Sequence, residues 1–140
     1  LERQVEKELL PFCRATGVGL LAFFALANGL LAGRYRQGEP PPPDSRAAAF
    51  ERTRRYLAQY ATPQNYALID KFTAFARERG HTLADLAIAW VLTEPTVSTV
   101  LCGASSVEQM VANTRAAAWK LSAEDKAEIR QILEGPAIVR

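Results

Sequence analysis

Apolar residues recur at helical spacing along the first positions of the chain. Val5, Leu9, Phe12 and Cys13 stand at i, i+4, i+7 and i+8, so residues 2–15 read as an amphipathic helix ending near Gly17. The stripe then gives way to a run. Val18 to Phe24 is continuously apolar between Gly17 and Asn28-Gly29, as in a strand buried on both faces of a parallel sheet. A long loop follows, bendable at Gly29, Gly33 and Gly38 and stiffened by Pro40 to Pro43. Helical spacing returns from Ser45 to Tyr60. Pro63 opens a further helix with Leu68, Ile69, Phe72, Phe75 and Ala76 on one face, and Gly80 ends it. Thr82 and Asp85 form a capping pair for "LADLAIAWVL", a segment apolar almost all round that is expected to be deeply buried and to stop at Pro95. Val97 to Cys102 is the second strand candidate. Ser106 with Gln109 and Ser122 with Asp125 have capping-box spacing and place helix starts near residues 107 and 123.

The predicted order is helix, strand, long loop, several helices, strand, helix, helix, with no hairpin signal. This is α/β logic. Two parallel strands do not make a sheet large enough for so many helices, and each would keep an outer edge of unpaired N–H and C=O groups. The pattern therefore predicts either additional chain or association through Val18–Phe24 and Val97–Cys102.

Composition narrows the class. A chain of 140 residues with 49% hydrophobic residues can bury one core, and its longest apolar run, Val18 to Ala27, falls far short of the roughly 20 residues of a membrane span. No membrane is expected as a partner. The start, "LERQVEKELL", lacks the basic-then-apolar layout of a secretory signal, so the expectation is a cytoplasmic protein or a chain whose start lies further upstream. Cys13 and Cys102 are distant in sequence and read as reduced, buried thiols; no metal site is predicted. A net charge of +2 gives no case for nucleic acid, and the basic run "ERTRRY" at residues 51–56 reads as a solvated helix face.

Self-contained chemistry is scarce. The single histidine, His81, sits between a helix-ending glycine and a helix-capping threonine, and no P-loop, "GxSxG" elbow or metal-ligand cluster occurs. Two stretches could nevertheless line a ligand. In "LLAFFALANGLLAGRY" and "TVLCGASSVEQMVAN", a strand runs at its C-terminal end into a glycine-containing turn, the end where parallel sheets and barrels bind ligands. Glycine allows close backbone approach to a phosphate, and free N–H groups at a helix start attract anions; the same residues can equally serve as a turn and a cap.

These stretches resemble the aldo-keto reductases. "GVGLLAFFALANGLLAGRY" is similar to that family's seventh strand and following loop, with a pattern close to "GIGVIAYSPLAQGLLTGKY". "HTLADLAIAWVLTEPTVSTVLCGASSVEQMVAN" resembles the helix, eighth strand and cofactor-binding helix that come next, and "WKLSAEDKAEIRQI" resembles the family's tail. The resemblance implies that residues 1–140 are the C-terminal segment of a single (β/α)₈ TIM barrel, incomplete by itself because such barrels take about 250 residues. It implies an NADPH-dependent oxidoreductase that reduces aldehydes or ketones. The family's catalytic Asp, Tyr, Lys and His lie on earlier strands, so no catalytic residue falls in this chain, and the isolated chain is expected to be inactive. His81 does not correspond to the family histidine.

The resemblance also assigns the cofactor contacts, with NADP(H) as the cofactor. Phe23 takes the position of the aromatic that stacks on the nicotinamide; it keeps the π-face without a hydroxyl. Leu26, Asn28 and Gly29 match the loop over the pyrophosphate, and Arg34 matches a basic position just beyond it. Gly103, Ala104, Ser105, Ser106, Gln109 and Asn113 match the positions around the adenosine and its 2′-phosphate, with Gln109 and Asn113 on one helix face. The chain departs from the family at Phe24 and Ala25, which replace Ser-Pro and remove one hydroxyl donor. It departs again at Ala112, where relatives carry Glu, and "GASSVEQ" offers no Lys or Arg to a phosphate. The loop "RYRQGEPPPPDSR" would cover part of the barrel mouth. The competing expectation is a non-catalytic, reductase-like fragment that binds a nucleotide or a partner through its open strand edges.

Overall fold

The computed structural model describes residues 1–134; residues 135–140, counted in the predicted domain, lie outside the described residues. Its elements in chain order are α1 (Leu9–Thr16), β1 (Leu20–Phe23), α2 (Arg46–Ala49), α3 (Glu51–Tyr60), α4 (Pro63–Glu78), α5 (Leu83–Val91), β2 (Val97–Leu101), α6 (Val107–Ala116) and α7 (Ala123–Glu134), with 3₁₀ turns at Gln4–Glu6 and Ala27–Ala32.

The first helix is shorter than its sequence pattern. Pro11 has no N–H for the carbonyl of Lys7, and its ring clashes there, so the α-helix cannot run through from residue 2 and starts at Leu9, where Pro11 is tolerated in the first turn. The predicted stripe separates accordingly: Cys13 is buried, joined by Leu10, while Val5, Leu9 and Phe12 are exposed. The predicted helix from Ser45 to Tyr60 is also divided. Phe50 is extended (φ −124°, ψ 122°), and Arg54 Nη1 donates to the carbonyls of Ala47 and Ala48, which closes the end of α2.

The later helices follow their caps. Thr82 Oγ1 accepts from Asp85 N–H at 3.1 Å while Asp85 Oδ2 accepts from Thr82 N–H at 2.8 Å, and Ser122 and Asp125 repeat this exchange. Helix α5 lies between α4 and α6, with Leu83, Leu86, Ile88 and Ala89 buried and its other positions only half-buried. Two cores form around it. One joins Ala27, Leu30 and Tyr35 of the loop after β1 to Ala47, Leu57, Tyr66, Ile69 and Leu83; the other joins Phe75 and Ala76 to Leu86, Ala89, Leu121 and Ile129. Arg79 ties α4 to α7 through Asp125 and Glu128, each at 2.7 Å.

Strands β1 and β2 are parallel neighbours, with Leu21 opposite Thr99 and Phe23 opposite Leu101. The expectation of burial on both faces is not met. Leu20, Ala22 and Val100 are half-buried on the side that the helices back, whereas Leu21 (58%), Phe23 (68%) and Leu101 (54%) are exposed on the other. The physical reason is that helices supply only one covering layer. Among the described residues each strand also has one free edge in this two-stranded sheet.

The turn between α5 and β2 is fastened to α1. Arg14 makes a fork-to-fork ion pair with Glu94, whose carboxylate also accepts from Thr96 N–H and Oγ1. The Arg14 hydrogen bond is the main reason that the Glu94 pKa falls from 4.5 to about 2. A carboxyl with a depressed folded-state pKa stabilises the fold above its unfolded pKa and loses that contribution as pH falls. The expected outcome is that wild type loses stability between about pH 4.5 and 2 and that Glu94→Gln lacks this component, as read from urea midpoints across that range. Parallel pH curves for the two proteins would refute it.

Candidate functional site

Both glycine turns emerge at the same end of the sheet, because the strands are parallel and in register at Phe23 and Leu101. The Phe23 ring stands open at that end. Its neighbour Phe24 has left-handed backbone geometry (φ 59°), and the two rings pack with centroids 4.9 Å apart. Consecutive strand residues ordinarily point to opposite faces; the turn at Phe24 brings both rings together.

The loop beyond Phe24 is tightly coiled. Ala27 (φ 48°) and Asn28 (φ 56°) are also left-handed, and Gly29 lies at φ 100°. Such geometry costs about 1–3 kcal/mol for each non-glycine residue and persists where the surroundings enforce it. Here Ala27 and Leu30 are sunk in the first core, and Tyr35 Oη–H donates to Asn28 C=O at 3.2 Å. Gly29 has no alternative, since a Cβ there would also approach Tyr35 Cε2 at 3.3 Å. Leu26, Asn28 and Gly29 are thus held half-buried beside the exposed Phe23 ring. Arg34 follows, ion-paired to Asp44 at 2.9 Å, which clasps the two ends of the proline-containing loop.

At the second turn, α6 is largely capped by its own side chains. Gln109 N–H donates to Ser106 Oγ at 3.3 Å. The Gln109 side chain does not complete a capping box with Ser106; its Oε1 accepts from Ser105 N–H at 2.8 Å and Ser105 Oγ–H at 3.0 Å. The Glu108 carboxylate accepts from its own N–H and from Ser106, which holds its pKa below the usual carboxylate range. An arriving phosphate therefore meets fewer free amides than the helix start alone suggests. Asn113 is half-buried one turn beyond Gln109, and its Nδ2 is buried without a hydrogen-bond partner among the described residues.

The cation absent from "GASSVEQ" comes from elsewhere in the chain. A Cβ at Gly103 would lie 3.2 Å from Nη2 of Arg46, so the first residue of α2 reaches the end of β2 across the space that glycine leaves. Arg52 of α3 stands with Cζ 5.8 Å from the Phe24 ring centroid, at the end of β1. Sequence reasoning missed both. Arg52 belongs to the basic run assigned to solvent, and the only available signal for Arg46 was its place directly after the proline tract and Ser45.

Other polar groups lie apart from this cluster. The His81 ring stacks on Trp119 at 3.8 Å between ring centres. Cys13 and Cys102 are free; Cys13 is buried, Cys102 is half-buried, and burial pushes the Cys102 thiol pKa up. Among the described residues no cluster of His, Cys, Asp or Glu could hold a metal ion, and no helix is long and apolar enough to cross a membrane.

The fold is one sector of a parallel α/β barrel, with both glycine turns at the C-terminal ends of β1 and β2. The profile of the Aldo/keto reductase family matches residues 1–134, and the chain belongs to that family. It is 36% identical over 134 residues to an L-glyceraldehyde 3-phosphate reductase of Escherichia coli O157:H7, covering 94% of this chain and 38% of the relative. It is 38% identical over 120 residues to a probable voltage-gated potassium channel subunit beta of Oryza sativa subsp. japonica, covering 81% of this chain and 34% of the relative. Among solved structures, the glycerol dehydrogenase AKR11B4 from Gluconobacter oxydans superposes with a TM-score of 0.74 at 26% identity, over 99% of this chain and 42% of that one. The chain thus spans little more than a third of the length of these two curated relatives. The expected architecture, a helix-rich C-terminal part of a TIM barrel with two parallel strands, is the one observed.

Proposed function

We propose that this chain is the cofactor-holding sector of an oxidoreductase that uses NADP(H) to reduce aldehydes or ketones. The observation that carries the reading is the Arg46 guanidinium lying across Gly103 beside the start of α6, a preformed cationic place for an adenosine 2′-phosphate. The fit extends to both turns. At Gly103 the absence of a side chain lets the Arg46 guanidinium come close to the backbone, and Asn113 keeps a buried Nδ2 with no hydrogen-bond partner among the described residues. When bound, NADPH supplies the hydride. Phe23 would then offer its exposed face to the nicotinamide and Leu26, Asn28 and Gly29 would border the pyrophosphate, with Arg34 fastening the loop to Asp44. Gly103, Ala104, Ser105, Ser106, Gln109 and Asn113 would border the adenosine end.

In this reading the chain binds and orients the cofactor and does not itself supply the proton. His81 is stacked against Trp119, and Tyr35 and Tyr66 are buried in the first core. Further strands of the same barrel would supply the acid and cover the bare face of Leu21, Phe23 and Leu101; residues 1–140 are accordingly one segment of a single domain. The names of two similar proteins, a reductase of L-glyceraldehyde 3-phosphate and a glycerol dehydrogenase, support carbonyl–alcohol chemistry. In the intact protein, Arg46→Gln is expected to weaken NADPH about ten-fold or more while leaving NADH nearly unchanged, measured by calorimetry. Aldehyde-dependent consumption of NADPH by wild type tests the reaction itself. Equal affinity of wild type and Arg46→Gln for NADPH would overturn the assignment of Arg46.

A further inference from the structure

Six arginines lie between residues 34 and 55, and four of them are occupied. Arg34 pairs with Asp44, Arg36 with Glu39 and Arg55 with Glu51, while Arg54 donates to the carbonyls of Ala47 and Ala48. Arg46 and Arg52 have no carboxylate or carbonyl partner among the described residues. These two unpaired guanidiniums are the ones that lie at the strand ends, Arg46 at Gly103 after β2 and Arg52 over Phe24 after β1.

Phe24 explains the placement of Arg52. Its left-handed backbone sets its ring beside that of Phe23, and the Arg52 guanidinium lies within cation–π range of the ring, at 5.8 Å. A short aromatic column thus connects the exposed Phe23 ring to a cation. We infer that Arg52, carried on Phe24, is a second anion contact of the site, recognising the pyrophosphate of a bound dinucleotide.

Charge and geometry support the assignment. Guanidinium binds phosphate oxygens through a planar fork, and a partnerless one beside an open aromatic face needs no salt bridge to be broken first. The two arginines divide the work by position: Arg46 belongs to the adenosine end at β2, and Arg52 to the end at β1 that carries Phe23. Arg52 therefore contacts a part common to NADPH and NADH, whereas Arg46 discriminates between them.

The inference rests on the proposed function, and the experiment separates the two. NADPH and NADH are titrated by calorimetry into intact wild type, Arg52→Gln and Phe24→Leu at two salt concentrations. Arg52→Gln is expected to weaken both nucleotides equally, by about ten-fold, with a shallower salt dependence than wild type. Phe24→Leu keeps bulk and loses the π-face; it is expected to weaken both nucleotides in the same ratio by a smaller factor. Arg52 is exposed, so its replacement leaves the fold intact, which thermal unfolding checks. Wild-type affinity in Arg52→Gln overturns the inference and leaves the proposed function standing. Loss confined to NADPH overturns the pyrophosphate assignment, and failure of wild type to bind either nucleotide overturns both readings.

Discussion

Phe75→Ala is expected to lower the unfolding free energy by about 3–5 kcal/mol, the range for removing a buried aromatic side chain from a packed core. Phe75 is 2% exposed and packs with Ala76, Leu86, Ala89, Leu121 and Ile129, so it joins α4, α5, the segment before α7 and α7 itself. Its ring also lies 3.6 Å from Arg79 Cζ, beneath the guanidinium that holds Asp125 and Glu128 of α7. Truncation leaves a cavity and removes the surface that supports this ion-pair cluster. Urea unfolding would show a lower midpoint with m unchanged. A loss below about 1 kcal/mol would mean that the second core repacks freely, contrary to the dense contacts assigned to it.

Leu30→Ala is expected to cost about 2–5 kcal/mol and, unlike Phe75→Ala, to weaken NADPH binding below the unfolding transition. Leu30 is 0% exposed and anchors the turn Ala27–Ala32 to α3, α4 and α5. The left-handed geometry at Phe24, Ala27 and Asn28 persists because that anchor holds it. Without the leucine side chain the loop relaxes, and Leu26, Asn28 and Gly29 leave the positions proposed to border the pyrophosphate. Phe75 lies in the other core and should affect stability alone. The pair of variants therefore separates global destabilisation from loop ordering: equal nucleotide affinity in Leu30→Ala and wild type would disprove the coupling.

Much of the helical part was readable in the sequence because its signals are local. Thr82 with Asp85 and Ser122 with Asp125 satisfy their own helix starts within four residues, and Gly80 closes α4 at φ 74°. Pro11 is equally local, and its missing N–H, rather than the stripe through Val5, Leu9 and Phe12, decides where α1 begins. Ser106 and Gln109 had capping-box spacing, but the second hydrogen bond goes to Ser105. Spacing identifies which groups can meet, and competition among neighbouring donors decides which do.

The sequence by itself determined the order of elements, the parallel character of the two strands, the family resemblance and the two glycine turns, all of which depend on residues close together in the chain. Tertiary structure decided which strand face stays bare and which cations reach the turns. Arg46 is 57 residues from Gly103, and Arg52 is 28 residues from Phe24. Contacts at such separation depend on how the loop cores against α3, α4 and α5, and no local periodicity encodes them. The "GASSVEQ" turn has no basic residue of its own, and folding places one beside it.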